Sequence, residues 1–342
     1  MRILLLLWLL LGCLSLSAIE TKNRFSSYAD LGEDVQYLGL DWALELYGSR
    51  DFGGLDFSGE YSLYSRYQSK WEEGHAAILD LKSYRYYLNA ADTQSQLRIG
   101  MQHISFGPAK ALRPLMWFDR VDPLDPYQVT EGVEAALFRH HWLNGANLWL
   151  WGVLGSADTK GNEIVGGKKN KPELGGRIQY PSPIGDAALS FHSRDSALGR
   201  EYRLGADLRM DYALGWWLEG SASRFEGIPG ALSLSALGSI GADYVLSVGN
   251  GLAITAESMI LAISEEDMHS IRYEELSAAV ILDYPIGLLD SLRFLGSYAL
   301  EAETGSIQGA WRRTYDYLAL DLGVNHSKPK GGSVNIMISV IY

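Results

Sequence analysis

Between Glu201 and Tyr212 the chain alternates. Tyr202, Leu204, Ala206, Leu208, Met210 and Tyr212 occupy one parity, and Arg203, Gly205, Asp207, Arg209 and Asp211 the other. A period of two is the pattern of a β-strand with two unlike faces. The dyad returns at Leu276, Ala278, Val280, Leu282 and Tyr284 against Asp283, and at Leu292, Phe294, Gly296, Tyr298 and Leu300 against Arg293 and Glu301. It returns again at Leu318, Leu320, Leu322 and Val324 against Asp321 and Asn325. About sixteen such segments (roughly 14 to 18) can be drawn, most near the ~10 residues of a tilted membrane-spanning strand. Helical periodicity is confined to Ala109–Phe118.

Two classes of connection separate the strands. Asn144-Gly145, Ala213-Leu214-Gly215 and Gly249-Asn250-Gly251 are tight hairpin links, and Tyr180–Asp186 is echoed by Tyr284–Asp290. Longer polar connections lie at Ser156–Glu173, with its Lys168-Lys169-Asn170-Lys171 run, and at Ser264–Glu275. Short and long alternating is the rhythm of an antiparallel up-and-down barrel. Tyr180, Tyr212 and Tyr284 stand where strands enter short turns, the place of an interfacial aromatic girdle.

Composition narrows the class. A chain of 342 residues that is 47% hydrophobic can bury a large core, and a net charge of -12 excludes nucleic acid as a main partner. Arg2, the apolar run Ile3–Leu11 and the small residues through Ser15, Ser17 and Ala18 form a secretory signal over residues 1–18. Cleavage near Ala18 removes Cys13, the only cysteine; Leu10-Leu11-Gly12-Cys13 also reads as a lipoprotein box with lipidation on Cys13. The first reading is favoured, because an integral-membrane body gains little from a lipid anchor. An uncleaved helical anchor is disfavoured, the run being shorter than the roughly 20 residues that span a bilayer. Residues 19–342 then form a single all-β domain, with too little chain left over for a large internal plug.

A soluble barrel and a membrane barrel share this alternation and differ in which face is outside. The final strand sets Val334, Ile336, Ile338, Val340 and Tyr342 on one parity, and the chain ends on the aromatic. It resembles the C-terminal assembly signature of Gram-negative outer-membrane β-barrels. That resemblance implies Sec-type export, the barrel assembly machinery and periplasmic chaperones as partners, and insertion among outer-membrane lipids, with a homo-oligomer left open. Leu97–Gln102, Phe106-Gly107-Pro108 and Gly132–Leu137 are similar to the strand, loop, strand layout of porin-like families, including alginate-export-type barrels. The implied function is passive diffusion of small hydrophilic solutes or ions. An outer-membrane hydrolase and a structural or adhesive barrel with a closed lumen are the alternatives.

One feature conflicts with this frame. A last strand running toward the periplasm puts the His326–Gly332 connection outside the cell, and stepping back strand by strand then puts the short turns outside too, the reverse of the usual arrangement. Either one strand near Glu301–Tyr317 is miscounted or the loop lengths are unusual.

No motif supplies chemistry. Gly-x-Ser-x-Gly, Gly-x-x-x-x-Gly-Lys and His-Glu-x-x-His are missing from the sequence, and His140 and His141 point to opposite faces of a strand. Ser190, His192 and Asp195 form at most a weak hydrolase reading, and Asp119, Asp122 and Asp125 lack calcium-loop spacing. No cofactor or metal is expected. The inward parity carries Asp41, Glu45, Glu60, Glu134, Asp207, Asp211, Glu219, Asp243, Glu257, Asp283, Glu301 and Asp321 against Arg66, Arg98, Arg177, Arg203, Arg209 and Arg293, which predicts a weak cation preference. The segment Pro108–Val129 combines Leu112, Leu115, Met116, Trp117 and Phe118 with Arg113, Asp119, Arg120, Asp122 and Asp125. So much apolar area is rarely left in water, so the segment is expected to fold against the inner wall and narrow the pore, with its charges bordering the aqueous path. A loop packed on the rim, or in an oligomer contact, is the alternative.

Overall fold

The computed structural model describes residues 19–32, 36–72, 74–119, 130, 132–226, 234–264, 272–328 and 331–342. The expected leader 1–18 with Cys13, and Arg120, Asp122 and Asp125 of the expected constriction, lie outside the described residues. Among those described, eighteen strands form one sheet. They are β1 (Ile19–Gly32), β2 (Gln36–Phe52), β3 (Leu55–Glu72), β4 (Gly74–Ala91), β5 (Ser95–Gln102), β6 (Val133–His141), β7 (Asn147–Leu154), β8 (Pro172–Ser182) and β9 (Gly185–Ser196). The second half comprises β10 (Gly199–Tyr212), β11 (Leu214–Glu226), β12 (Leu234–Leu246), β13 (Leu252–Ser264), β14 (Arg272–Pro285), β15 (Asp290–Ala299), β16 (Thr304–Thr314), β17 (Leu318–Lys328) and β18 (Gly331–Ile341). Each strand pairs antiparallel with its sequence neighbours, and β1 pairs with β18 from Arg24 opposite Ile341 to Gly32 opposite Ser333. The sheet is a closed barrel, so no edge remains along that seam.

The alternation falls as the sequence predicts. On β10 Leu204 is 62% exposed and Arg203 3%, so the apolar parity is outside and the charged parity inside. Val334, Ile336, Ile338 and Val340 are exposed on the outer face of β18 while Met337 and Ser339 point in. A continuous apolar exterior of this extent is a lipid-facing surface, since water would not leave it uncovered. At the end of the barrel that carries Ile19 and Tyr342, Tyr180, Tyr212, Trp216, Tyr244 and Tyr317 stand exposed, and Phe25 stacks between Trp42 and Tyr342 at centroid distances of 6.0 and 6.1 Å.

The count among the described residues is eighteen, at the top of the roughly 14 to 18 expected, and the strand that settles the doubt at Glu301–Tyr317 is β16. Its outward parity holds Gly305, Ile307, Gly309 and Trp311, and the two glycines dilute the apolar alternation that marks the other strands. With β16 in place the orientation conflict disappears. The links at 142–146, 183–184, 213, 247–251 and 286–289 lie at the end of the two termini, and the long connections 103–132 and 155–171 lie at the other. Ala109–Phe118 is not helical; it runs through turns and bends, and its apolar residues contact the barrel wall instead of one another along a helix face.

Candidate functional site

The connection between β5 and β6 turns into the barrel. Ile104, Phe106, Leu115, Trp117 and Phe118 form the principal apolar cluster with Val133, Ala135 and Leu137 of β6 and Trp151 and Val153 of β7. Phe106 meets Trp117 edge-on at 5.4 Å and stacks on Trp151 at 5.6 Å. Leu115 and Trp117 reach on to β10, where a Cβ at Gly205 would lie 2.4 Å from Leu115 Cδ2, so that inward wall position accepts no side chain. The Trp117 indole N–H donates to Ser221 Oγ on β11 at 2.9 Å. Burying aromatics of this size on an inner wall gives the segment an anchor independent of the membrane.

Farther along, polar contacts replace apolar ones. Glu219 of β11 accepts the backbone N–H groups of Ala109 (3.1 Å) and Leu115 (2.6 Å). Glu257 of β13 accepts those of Lys110 (2.6 Å), Ala111 (2.8 Å) and Leu112 (2.6 Å). The Lys110 ammonium donates to Asp243 Oδ2 at 2.8 Å and Thr255 Oγ1 at 3.2 Å, with the Trp217 ring 5.6 Å away. Gly107 has φ +93°, and a Cβ there would lie 2.4 Å from Glu219 Oε2. Glycine is required on both counts.

The base of the segment is fixed by ions. Asp119 Oδ2 lies 3.0 Å from His103 Nε2 and 3.2 Å from Arg113 Nη1, and Arg113 also donates to Ser105 Oγ at 2.5 Å. Burial opposes ionisation of Asp119, but the bonds from His103 and Arg113 outweigh it and hold its carboxyl below the usual range. The connection 155–171 closes over the top: Asn162 donates its backbone N–H to the Met116 carbonyl (2.8 Å) and its amide to the Arg113 carbonyl (2.7 Å). That connection is itself seated on a buried ionic cluster, in which Arg194 contacts Glu163 at 2.9 Å and Glu201 at 2.6 Å, Arg203 contacts Glu201 at 2.7 Å and Lys160 contacts Glu173 at 3.2 Å.

The bonds and packing of 103–119 thus run along β6 to β13. The wall from β14 round to β4 carries a different set. Arg66 pairs with Asp41 (3.1 Å), which also accepts the Tyr64 hydroxyl (2.6 Å); Tyr84 donates to Glu45 (2.9 Å) and Tyr87 to Glu60 (2.7 Å). Arg293 pairs with Asp283 at 2.7 Å, both of them about half exposed.

The expected site residues divide accordingly. Arg98, Arg209, Asp211 and Arg293 face inward and keep access to solvent. Arg177 faces inward but is buried, held by Asp207 (3.0 Å to Oδ1) and Ser190 and lying 5.3 Å from the Phe106 ring centroid. Arg203 lies beneath 155–171 and Glu219 beneath 103–119, so neither borders open space. Glu134 is a correction: it pairs with Met101, on the parity of outward Ile99 and Leu97, and near the end of β6 it accepts the Tyr86 hydroxyl at 2.5 Å. Its charge suggests the lumen, but the end of a strand reaches past the apolar belt and tolerates an outward carboxylate. Arg113 and Asp119 are buried against each other, and Trp117 is a wall anchor; none of the three borders a free path. Ser190 bonds Arg177 and Asp195 bonds Arg200, so neither is joined to the fully buried His192 in a hydrolase constellation. Sequence reading missed Arg139, which packs over Trp149 at 3.9 Å beside Arg98, and Lys110 at the tip of the segment. The inward parity of β6 predicts the first; nothing in the sequence places the second.

No known sequence family matches the chain, and no curated protein matches it by sequence. Solved structures do share its fold. Acinetobacter baumannii OccAB4 superposes with TM-score 0.64 at 9% identity, over 96% of this chain and 99% of that one. Pseudomonas aeruginosa OccK2 (OpdF) gives 0.63 at 10%, over 95% and 98%, and a BenF-like porin from Pseudomonas fluorescens Pf-5 gives 0.63 at 10%, over 95% and 99%. At such identity the likeness is one of fold, covering nearly the whole of each chain.

Proposed function

We propose that the protein is a porin-like outer-membrane channel for passive diffusion of small hydrophilic solutes or ions, narrowed by residues 103–119. The observation that carries this reading is a segment drawn inside a closed barrel, packed and bonded along β6 to β13, opposite a wall of inward arginine, carboxylate and tyrosine groups. Export through the leader 1–18, the aromatic end strand and the fold shared with a BenF-like porin support outer-membrane placement, with outer-membrane lipid, the barrel assembly machinery and periplasmic chaperones as partners. The end with the two termini and short links is then periplasmic, and 103–132 and 155–171 are extracellular in origin. Residues Arg113, Asp119 and Trp117 act by holding the segment, while Lys110, Arg98, Arg209, Asp211 and Arg293 meet the solute.

Charge selectivity is weaker than the acid excess of the sequence implies. Glu134 is outside the lumen, Glu219 and Glu257 face backbone amides, and Asp41, Asp283 and Asp321 each pair with an arginine. Planar-bilayer recording of detergent-purified protein tests the proposal: discrete conductance steps with a reversal potential near zero under a salt gradient are expected. Persistent absence of steps from heat-modifiable, membrane-inserted protein would overturn it.

A further inference from the structure

We infer that Glu219 and Glu257 are positioning residues that set the width of the pore: a two-carboxylate clasp that holds the inner segment by its backbone. The inference rests on the channel reading above and adds how the constriction is kept in place. Five backbone N–H groups, those of residues 109 to 112 and 115, end on these two side chains at 2.6 to 3.1 Å. Three of them are consecutive and converge on Glu257, an arrangement of amides that forms a concave anion site. In most proteins such amides meet a helix or a strand; here they end on two side chains of the wall.

The geometry suits a carboxylate and little else. Its two oxygens offer about four lone-pair positions and no hydrogen, so one side chain can accept three donors. A glutamine keeps one such oxygen and points an NH2 group at the remaining amides, donor against donor. Charge assistance roughly doubles the strength of each bond relative to a neutral pair. Gly107 completes the clasp, because a Cβ at that position would occupy the place of Glu219 Oε2. The carboxylates stand on β11 and β13, whereas the aromatic anchor packs on β6 and β7, with Trp117 bonded in addition to Ser221 of β11. The apolar residues of the segment can therefore remain seated when the clasp is removed, and what is released is the stretch from 107 to 114 between the anchored Phe106 and Leu115. The charges that the alternation presents as lumen lining thus act on the loop and leave the solute to others.

The test combines recording and exchange. Glu219→Gln, Glu257→Gln and the double variant are refolded, checked for heat-modifiable mobility, and recorded in planar bilayers with polyethylene glycols of graded size as pore probes. The double variant is expected to show about twofold higher conductance, a larger polymer cut-off and added open-channel noise, with each single variant between it and wild type. Loss of charge alone shifts the reversal potential and leaves the polymer cut-off in place. Assembled variants with wild-type cut-off and noise would overturn the clasp. Hydrogen–deuterium exchange on the unaltered protein decides independently of whether the variants assemble: the amides of 109–112 and 115 should exchange slowly, and free exchange there would overturn the inference. Should wild type not conduct, the channel reading falls, while exchange still reports on the clasp.

Discussion

The inner wall of this barrel is used in two ways. From β6 to β13 it is covered: glycines at 175, 205 and 241 leave room for Trp151, Leu115 with Trp117, and Trp217, and Glu219 and Glu257 accept backbone amides of the covering segment. From β14 to β4 it is uncovered by 103–119, and there carboxylates pair across strands with arginines at the water-exposed surface, as in Asp283–Arg293, both about half exposed. Both walls arise from the same alternation of charged inward positions. An inward carboxylate acquires its role from what lies opposite: beneath a peptide segment it is desolvated and holds that segment, whereas beside water it contributes little to stability and shapes the field of the lumen.

The comparison is broken most directly by removing the cover. Replacing residues 109–127 by a short Gly/Ser linker should raise single-channel conductance about twofold or more and flatten selectivity. Unchanged conductance of an assembled variant would leave the segment as a rim or oligomer contact. Exchanging the faces of one strand comes next. Leu208→Arg on the lipid face should cost about 2 to 4 kcal/mol if it lies near the bilayer midplane, measured by urea titration of folded protein in vesicles, whereas Arg209→Leu should alter conduction at little cost in stability. Reversed effects would invert the parity.

A smaller effect is expected from the anchor. Trp117→Ala removes a side chain that is 2% exposed, a truncation that costs about 3 to 5 kcal/mol in ordinary cores, here charged mainly to the segment. Heat-modifiable mobility should survive, and open-channel noise should rise. Acid should act on the base of the segment. The Asp119 carboxyl is held below its ordinary range, so its bonds to His103 and Arg113 are complete above that ordinary value and are lost as pH falls through the depressed one. Conductance should therefore hold steady at neutral pH and change only in acid, and Asp119→Asn should abolish that acid limb. The smallest effect belongs to Arg98 and Arg139. Neutralising Arg139 should shift the reversal potential toward cations by a few millivolts, most at low salt, where screening is least.

Most of the barrel is legible in the sequence because a strand writes its two environments into neighbouring residues. Leu204 and Arg203 reveal that they lie on opposite faces without reference to anything distant. β16 escaped because Gly305 and Gly309 carry no side chain to report a face, and the orientation of the chain then came out inverted. Glu134 misled for the opposite reason, its charge being read as lumen when its position near a strand end was what counted. In the inner segment, the apolar content of Leu115, Trp117 and Phe118 announces burial but not against which strands.

The local pattern therefore determined the class of fold: two-faced antiparallel strands running to an aromatic end strand, one face apolar and the other charged. Only the tertiary structure decided how that charge is spent. Glu219 and Glu257 are separated from residues 109–115 by more than a hundred positions, as the bonds of Leu115 and Leu112 record. Alternation is a nearest-neighbour property and carries no information about such pairs. Which carboxylate faces water and which faces an amide is set by where the closed barrel brings a distant segment against its wall.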